Sequence, residues 1–130
     1  MSRLSYLDAS ALVKLAVTEA ESPAMLRWYV EAERVATSRV GIVETTRAAA
    51  RYPHDAQHLR LILNAVEVIE LEHGVGERAA EARPVTLRVL DAIHLASALA
   101  LMPEIDAFVT YDDRLADAAR AAGLPVVRPA

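Results

Sequence analysis

Short apolar segments alternate with helical segments along the whole chain, and this alternation constrains the fold more than any other feature. One of the segments, Val66 to Leu71, is apolar at alternate positions, as expected of a strand. Strands that alternate with helices favour a parallel sheet with helices on both faces, which is the α/β class. The predicted strands are Leu4 to Leu7, Val35 to Thr37, Val66 to Leu71, Ala107 to Thr110 and Val126 to Val127.

The helices predicted between these strands begin and end at recognisable residues. Ser22 followed by Pro23 is typical of a helix start, with the serine as cap. Thr86 is predicted to cap a long helix, and Gly123 to end the last one. The predicted helices are Ala9 to Val17, Ser22 to about Arg34, Gly41 to Tyr52, Asp55 to Ala65, Gly76 to Arg83, Thr86 to Met102 and Asp112 to Ala122.

Length and composition exclude several classes of protein. A chain of 130 residues fits one domain, which can bury a core without covalent staples. It contains no cysteine, which rules out disulfides, thiolate zinc sites, iron–sulfur clusters and a cysteine nucleophile. The longest apolar run, Ala92 to Met102, is too short to span a bilayer, and the first residues do not resemble a signal peptide. We therefore expect a soluble cytoplasmic domain that does not enter a membrane.

Aspartates follow two of the predicted strands. Asp8 comes directly after the first strand, and Asp112 comes two residues after the fourth. Parallel sheets bind ligands at the carboxyl ends of their strands, so both are candidates for chemistry. The alternative for each is a helix N-cap. Thr110 and Asp113 have the spacing of a capping box and could start the helix themselves, which would leave Asp112 free.

Two polar residues fall on an otherwise apolar helix face. Asp91 and His94 share a stripe with Leu87, Leu90 and other apolar residues of the predicted long helix. A buried carboxylate needs a cation or a donor, so Asp91 points to a cation site. The alternative is a local Asp91–His94 pair with an arginine nearby. For His94 a satisfied core position or a supporting role is favoured over metal ligation.

Glu44 shares a helix face with Arg47 and Arg51. It could form a surface pair with Arg47, or point inward with the arginines at the rim of a cleft; periodicity does not choose between these. Taken together, the carboxylates suggest a site for a hard cation such as Mg²⁺, which prefers oxygen ligands. The chain has no glycine-rich phosphate loop and no indication of a serine triad.

Three segments resemble the motifs of a known family. Tyr6 to Lys14 resembles the opening of a PIN domain, Leu90 to Ala98 its third acidic motif, and Phe108 to Leu115 its C-terminal motif. The order and spacing of these motifs match the PIN-domain pattern over nearly the whole chain. Their residues resemble those of the VapC toxins of type II toxin–antitoxin systems. The resemblance implies that residues 1–130 form a single PIN domain, with a three-layer α/β/α fold and a central parallel sheet of about five short strands.

The resemblance also implies an activity and a set of residues. VapC toxins are Mg²⁺- or Mn²⁺-dependent endoribonucleases, in which a metal-activated water attacks the phosphodiester to leave a 5′-phosphate and a 3′-hydroxyl. By that resemblance, Asp8, Glu44, Asp91 and Asp112 are the catalytic residues, and Asp8, Asp91 and Asp112 hold the ion. Supporting or RNA-contacting roles are assigned to Ser10, His94, Thr110, Asp113, Arg47 and Arg51.

The expected partners are RNA, a cognate antitoxin and a second copy of the chain in a homodimer. Apolar residues on the early helices are candidate interface material, with core packing as their default role: Leu26, Trp28, Tyr29, Leu61 and Ile62. Two alternatives stay within the family: a PIN nuclease that processes RNA without a toxin role, and a catalytically silent binding module. An aspartyl phosphatase is disfavoured, because Ser10 stands where its second aspartate would be.

Overall fold

A computed structural model describes residues 2–130 of the chain, which form a five-stranded sheet in which all paired strands are parallel. The spatial order is β3-β2-β1-β4-β5, so β1 and β4 lie side by side at the centre. This confirms the predicted α/β class and its parallel sheet. The strands are β1 (Leu4–Leu7), β2 (Arg34–Ser38), β3 (Glu67–Ile69), β4 (Ile105–Val109) and β5 (Val126–Val127).

Helices cover both faces of this sheet, and none of those within residues 2–130 has the length and apolar character needed to cross a bilayer. The helices are α1 (Ala9–Ala16), α2 (Ser22–Glu31), α3 (Arg39–Ala49), α4 (Ala56–Ala65), α5 (His73–Ala80), α6 (Val89–Leu99) and α7 (Asp113–Ala121).

The two faces bury separate apolar cores because side chains alternate along each strand. Tyr6 and Phe108 point to one face, where they pack with residues of α6 and α7. Leu7 and Val109, one position further along the same strands, point to the other face and pack with residues of α1 and α2. The result is the expected arrangement of three layers.

The start of α6 differs from the prediction. The helix begins at Val89 rather than Thr86, and it ends at Leu99 rather than Met102. Residues 84–87 form turns, and Arg88 is the N-cap residue although its side chain makes no capping hydrogen bond. Thr86 therefore caps nothing, and the arginine side chain is free to reach other groups.

Other boundaries also differ from the predictions, among them those of α3, which is Arg39–Ala49 rather than Gly41 to Tyr52. The helix α5 begins at His73 rather than Gly76 and ends at Ala80 rather than Arg83. Gly74 and Gly76 both lie within it. Ser22 is the first residue of α2 and not its cap; its hydroxyl donates to the Val17 carbonyl. The third strand is confined to Glu67–Ile69.

Candidate active site

Asp8 and Asp112 lie at the carboxyl ends of neighbouring strands. β1 ends at Leu7, which is in register with Val109 at the end of β4. Chain connections leave these two strands in opposite directions across the sheet, and such a switch point is where α/β sheets bind ligands. The location expected from the strand ends is therefore the one that the fold provides.

Asp8 is a buried carboxylate whose hydrogen-bond donors are neutral. Its side chain accepts from Ser10 Oγ at 2.6 Å, from the Ala11 amide at 3.0 Å and from Thr110 Oγ1 at 2.5 Å. The residue is 3% exposed, and this burial raises the pKa of the Asp8 carboxyl, while the hydrogen bonds from Ser10, Thr110 and the Ala11 amide act in the opposite direction. Asp8 is also the N-cap of α1, so both roles considered for it coexist.

Asp112 divides its two oxygens between a helix cap and the site. Oδ1 accepts from the Leu115 amide at 3.0 Å, and Oδ2 accepts from Arg88 Nη2 at 2.9 Å. The expectation that Thr110 and Asp113 would cap the helix in its place is wrong. Thr110 Oγ1 instead accepts from the Asp112 amide and donates to Asp8, so it joins the two aspartates.

Asp113 lies outside this cluster. Its carboxylate accepts from Arg128 Nη1 at 2.7 Å, and its side chain is 86% exposed. The structure therefore does not bring Asp113 to the site, because helix α7 begins there and turns the side chain outward.

Asp91 lies in the first turn of α6 and is joined to Asp112 by a shared arginine. Arg88 Nε donates to Asp91 Oδ2 at 3.1 Å, while Nη2 of the same guanidinium donates to Asp112. These contacts raise the pKa of Arg88, with the hydrogen bond to Asp91 as the largest cause. An arginine does accompany Asp91, but the local Asp91–His94 pair is not formed, because His94 bonds to other groups.

Glu44 points inward and bonds to His94, rather than to Arg47. Its Oε1 lies 2.6 Å from His94 Nε2, and His94 Nδ1 lies 2.7 Å from the hydroxyl of Tyr6. Because a carboxylate accepts, the imidazole carries its proton on Nε2 and accepts from Tyr6 at Nδ1. Burial raises the pKa of Tyr6, which keeps the phenol protonated as this arrangement requires. His94 is therefore a satisfied core histidine whose outer nitrogen fixes a carboxylate.

A groove of about 720 Å³ runs beside the cluster. Its walls include Ser10, Glu44 and Leu90, and Arg47 and Arg51 stand at its side. Both arginines are exposed, so they can meet a ligand that lies in the groove.

The site residues fit a divalent cation in their chemistry. Asp8, Asp91 and Asp112 supply oxygen donors, which Mg²⁺ and Mn²⁺ prefer. Asp8 is buried against neutral donors, and the other two already share a positive charge. Within residues 2–130, no three acidic or imidazole groups converge closely enough to hold an ion as they stand. The guanidinium of Arg88 lies between two of the candidate ligands.

Sequence reasoning missed two residues of this network, Arg88 and Tyr6. Arg88 could have been found from its spacing to Asp91, because residues three apart on a helix can form an ion pair. Tyr6 gives no such signal, because its partner His94 lies 88 residues away.

Comparison with known proteins agrees with this geometry. The family model of the PIN domain matches residues 5–121. Ribonuclease VapC47 of Mycobacterium tuberculosis is 39% identical over 130 residues, covering 95% of this chain and 96% of that protein. Ribonuclease VapC46 of the same organism is 38% identical over 125 residues, with the same coverage of both chains.

Solved structures share the fold over nearly the full length. The crystal structure of Mycobacterium tuberculosis VapC20, a sarcin-ricin loop cleaving toxin, superposes with a TM-score of 0.74 at 21% identity and covers 96% of this chain and 99% of that one. A toxin–antitoxin complex from Klebsiella pneumoniae gives a TM-score of 0.71 at 24% identity, covering 97% and 98%.

Proposed function

Because this chain belongs to the PIN-domain family, we propose that it is a Mg²⁺- or Mn²⁺-dependent endoribonuclease, the toxin of a type II toxin–antitoxin pair. The observation that carries the proposal is the linked acidic cluster at the ends of β1 and β4, beside a groove lined by arginines. The named relatives are ribonucleases, and they match this chain over almost all of its length.

We assign the ion to Asp8, Asp91 and Asp112. When bound, a divalent ion would supply an activated water and neutralise charge that develops on the phosphate. Ser10 and Thr110 hold the Asp8 carboxylate in place through their hydroxyls. The four proposed catalytic residues are Asp8, Glu44, Asp91 and Asp112.

We assign Glu44, which lines the groove, a role in orienting the reacting groups. His94 holds one of its oxygens, which leaves the other to orient a water or a ribose hydroxyl. Arg47 and Arg51 would bind backbone phosphates of RNA and hold the strand along the groove. Arg39 is not available for this, because its guanidinium makes two hydrogen bonds to Glu70.

We further propose an antitoxin partner, a homodimer and a cytoplasmic location, where RNA substrates are found. A solved neighbour is a toxin–antitoxin complex, which supports the first of these. Leu26 and Val30 on α2 and Leu61 on α4 are 49%, 74% and 66% exposed, and a partner could cover them. Trp28, Tyr29 and Ile62 pack instead against the core. We treat residues 1–130 as one PIN domain, since a single sheet includes strands from Leu4 to Val127.

Cleavage of total cellular RNA by the purified protein tests the activity. We expect discrete cuts with Mg²⁺ or Mn²⁺ and none with EDTA, and sequencing of the 5′-phosphate ends identifies the target. Asp112→Asn should reduce the rate by about 100-fold or more, because it weakens a metal ligand while an asparagine still caps α7.

Asp113→Asn is the matched control for this variant. It makes the same chemical change one residue away, at a side chain that lies outside the cluster. We expect its rate to stay within about twofold of the wild type. Wild-type cleavage by a folded Asp112→Asn protein, or cuts that persist in EDTA, would contradict the proposed mechanism. A folded protein that cuts no RNA with either ion would favour the binding-module alternative.

A further inference from the structure

Arg88 holds together two carboxylates that the proposed function assigns to a divalent ion. Its Nε lies 3.1 Å from Asp91 Oδ2, and its Nη2 lies 2.9 Å from Asp112 Oδ2. Each contact uses a different nitrogen of one rigid, planar group, which fixes the spacing of the two carboxylates. The guanidinium therefore lies between the two carboxylates and compensates their negative charge.

Apart from these two contacts, the Arg88 side chain is exposed to solvent. Its side chain is 65% exposed, and it projects from the N-cap position, where it makes no capping bond. Asp91 and Asp112 are less accessible, with side chains 12% and 26% exposed. An exposed arginine can leave its partners at modest cost, whereas the carboxylates are held by α6 and by the cap of α7.

We propose that Arg88 is a tethered counter-ion, which occupies the acidic cluster in the metal-free protein and must leave Asp91 and Asp112 before a divalent ion can bind them. This inference rests on the proposed metal site. The oxygens that accept from Arg88 are Oδ2 of both residues, and Oδ1 of Asp112 is committed to the Leu115 amide. An ion that binds Asp112 through Oδ2, the oxygen that does not cap α7, must therefore compete with the arginine.

The competition sets how much metal the protein needs. Without Arg88, Asp91 and Asp112 would face each other with uncompensated charge, and a divalent ion would relieve this repulsion. With Arg88 present, the ion gains less, because the repulsion has already been relieved. The arginine thus lowers the apparent affinity for metal and keeps the site ordered until metal arrives.

Calorimetric titration of the full-length protein with Mn²⁺ tests the proposal without measuring cleavage. We expect Arg88→Gln to bind Mn²⁺ about three- to tenfold more tightly than the wild type, since the two ion pairs of this exposed arginine no longer oppose binding. Arg88→Lys should fall between the two, because it keeps the charge but loses the planar fork.

Arg120→Gln is the matched control. It also removes an exposed arginine that pairs with an aspartate three residues away, Asp117, but it does not touch the cluster. Its Mn²⁺ affinity should equal that of the wild type. Equal affinity of Arg88→Gln and the wild type, or weaker binding by Arg88→Gln, overturns the proposal.

Two further measurements separate this proposal from the one it rests on. If the wild type binds no Mn²⁺, or if Asp91→Asn binds it as well as the wild type, the proposed metal site is wrong and the inference falls with it. The nitrogen–proton signal of Arg88 Nε in NMR spectra, assigned by its loss in Arg88→Gln, reports the displacement directly. It should shift or broaden as diamagnetic Mg²⁺ binds, and an unchanged signal at saturating Mg²⁺ contradicts displacement.

Discussion

The Asp8 carboxyl lies at a position where burial disfavours its charged form. Two hydroxyls and one amide compensate in part, but none of these donors is a cation. A folded-state pKa above the unfolded one means that the native protein binds this proton more readily than the unfolded chain. The contribution of Asp8 to stability is thus most favourable below its unfolded pKa and declines as the pH rises through the folded one. At neutral pH an ionised Asp8 costs stability, as active-site groups often do.

Asp8→Asn should therefore stabilise the metal-free protein at pH 7 by about 1 kcal/mol while abolishing cleavage. The asparagine can accept from Ser10 and Ala11 and donate to Thr110, so the hydrogen bonds are kept. Thermal unfolding in EDTA should show the gain narrowing as the pH falls towards about 4, where Asp8 of the wild type is also protonated. Asp113→Asn, at an exposed site, should show no such gain. An Asp8→Asn variant less stable than the wild type at pH 7 would refute this account.

Tyr6→Phe should destabilise the protein by about 1–3 kcal/mol, because it leaves the buried Nδ1 of His94 without a donor. It should also lower the cleavage rate, since the imidazole that fixes Glu44 loses its own anchor. Chemical denaturation and cleavage assays measure the two effects. Tyr29→Phe is the control, because Tyr29 is only partly buried on α2. Equal stability of the two variants would show that the Tyr6–His94 bond contributes nothing.

At the level of single residues, the sequence predicted the positions of the aspartates in the fold better than it predicted their hydrogen-bond partners. Asp8 and Asp112 were located by the strands they follow, and Asp91 by its place on an apolar helix face. Which groups bond to them depends on contacts between distant parts of the chain. His94 could be expected in the core, but its pairing with Glu44 spans 50 residues. Periodicity along one helix carries no information about such a pair.

The helices α3 and α6 approach each other closely where the site is built. A Cβ on Gly41 would collide with Thr37 Oγ1 and would lie 3.2 Å from His94 Cε1. Thr37 belongs to β2 and His94 to α6, so this glycine lets three elements meet at one point. The glutamate that bonds to His94 lies one turn further along α3.

Gly41→Ala should cost about 1–3 kcal/mol of unfolding free energy, because the added methyl group meets packed atoms. Cleavage should fall as well, because α3 carries Glu44. Gly76→Ala is the control on α5, where an added Cβ meets nothing within 4 Å. There we expect a gain of about 0.5–1 kcal/mol, since alanine is the better helix former. Urea unfolding checks both, and a harmless Gly41→Ala would show that the helices can move apart.

At the level of elements, the strands were predicted more accurately than the helix starts. Buried strands are marked by runs of apolar residues, which their environment requires. Helix starts depend on small differences between local signals. Thr86 has the chemistry of a cap, but the chain turns at residues 84–87 and the helix begins at Val89. Thr110 was expected to cap α7, but its hydroxyl donates to Asp8, and Asp112 caps the helix instead.

The molecule as a whole is acidic, with a net charge of −4, although its proposed substrate is a polyanion. An acidic protein can bind RNA if local positive charge contacts the phosphates, and Arg47 and Arg51 beside the groove can supply that charge. Arg47→Gln combined with Arg51→Gln should weaken binding of RNA to an inactive Asp112→Asn background. The dependence of log Kd on log salt concentration should become shallower by about 1.4 units, because two phosphate contacts on a single strand are lost and each contributes about 0.7.

Arg27→Gln combined with Arg60→Gln is the matched control, since both arginines are exposed and neither lines the groove. It removes the same charge from the molecule, so a general effect of net charge would appear in both double variants. Filter-binding titrations at several salt concentrations measure the slopes. Identical slopes for the two would show that RNA does not contact Arg47 or Arg51.

The central strands β1 and β4 are neighbours in space but lie about a hundred residues apart in the chain. Asp8 is therefore synthesised well before the α6 carboxylate Asp91 and before Asp112. Any fragment that stops before β4 lacks Asp112 and also the central strand that would order Asp8. Translation that stops before β4 therefore yields a fragment without the complete acidic cluster, and the proposed activity depends on β1 and β4 being present together.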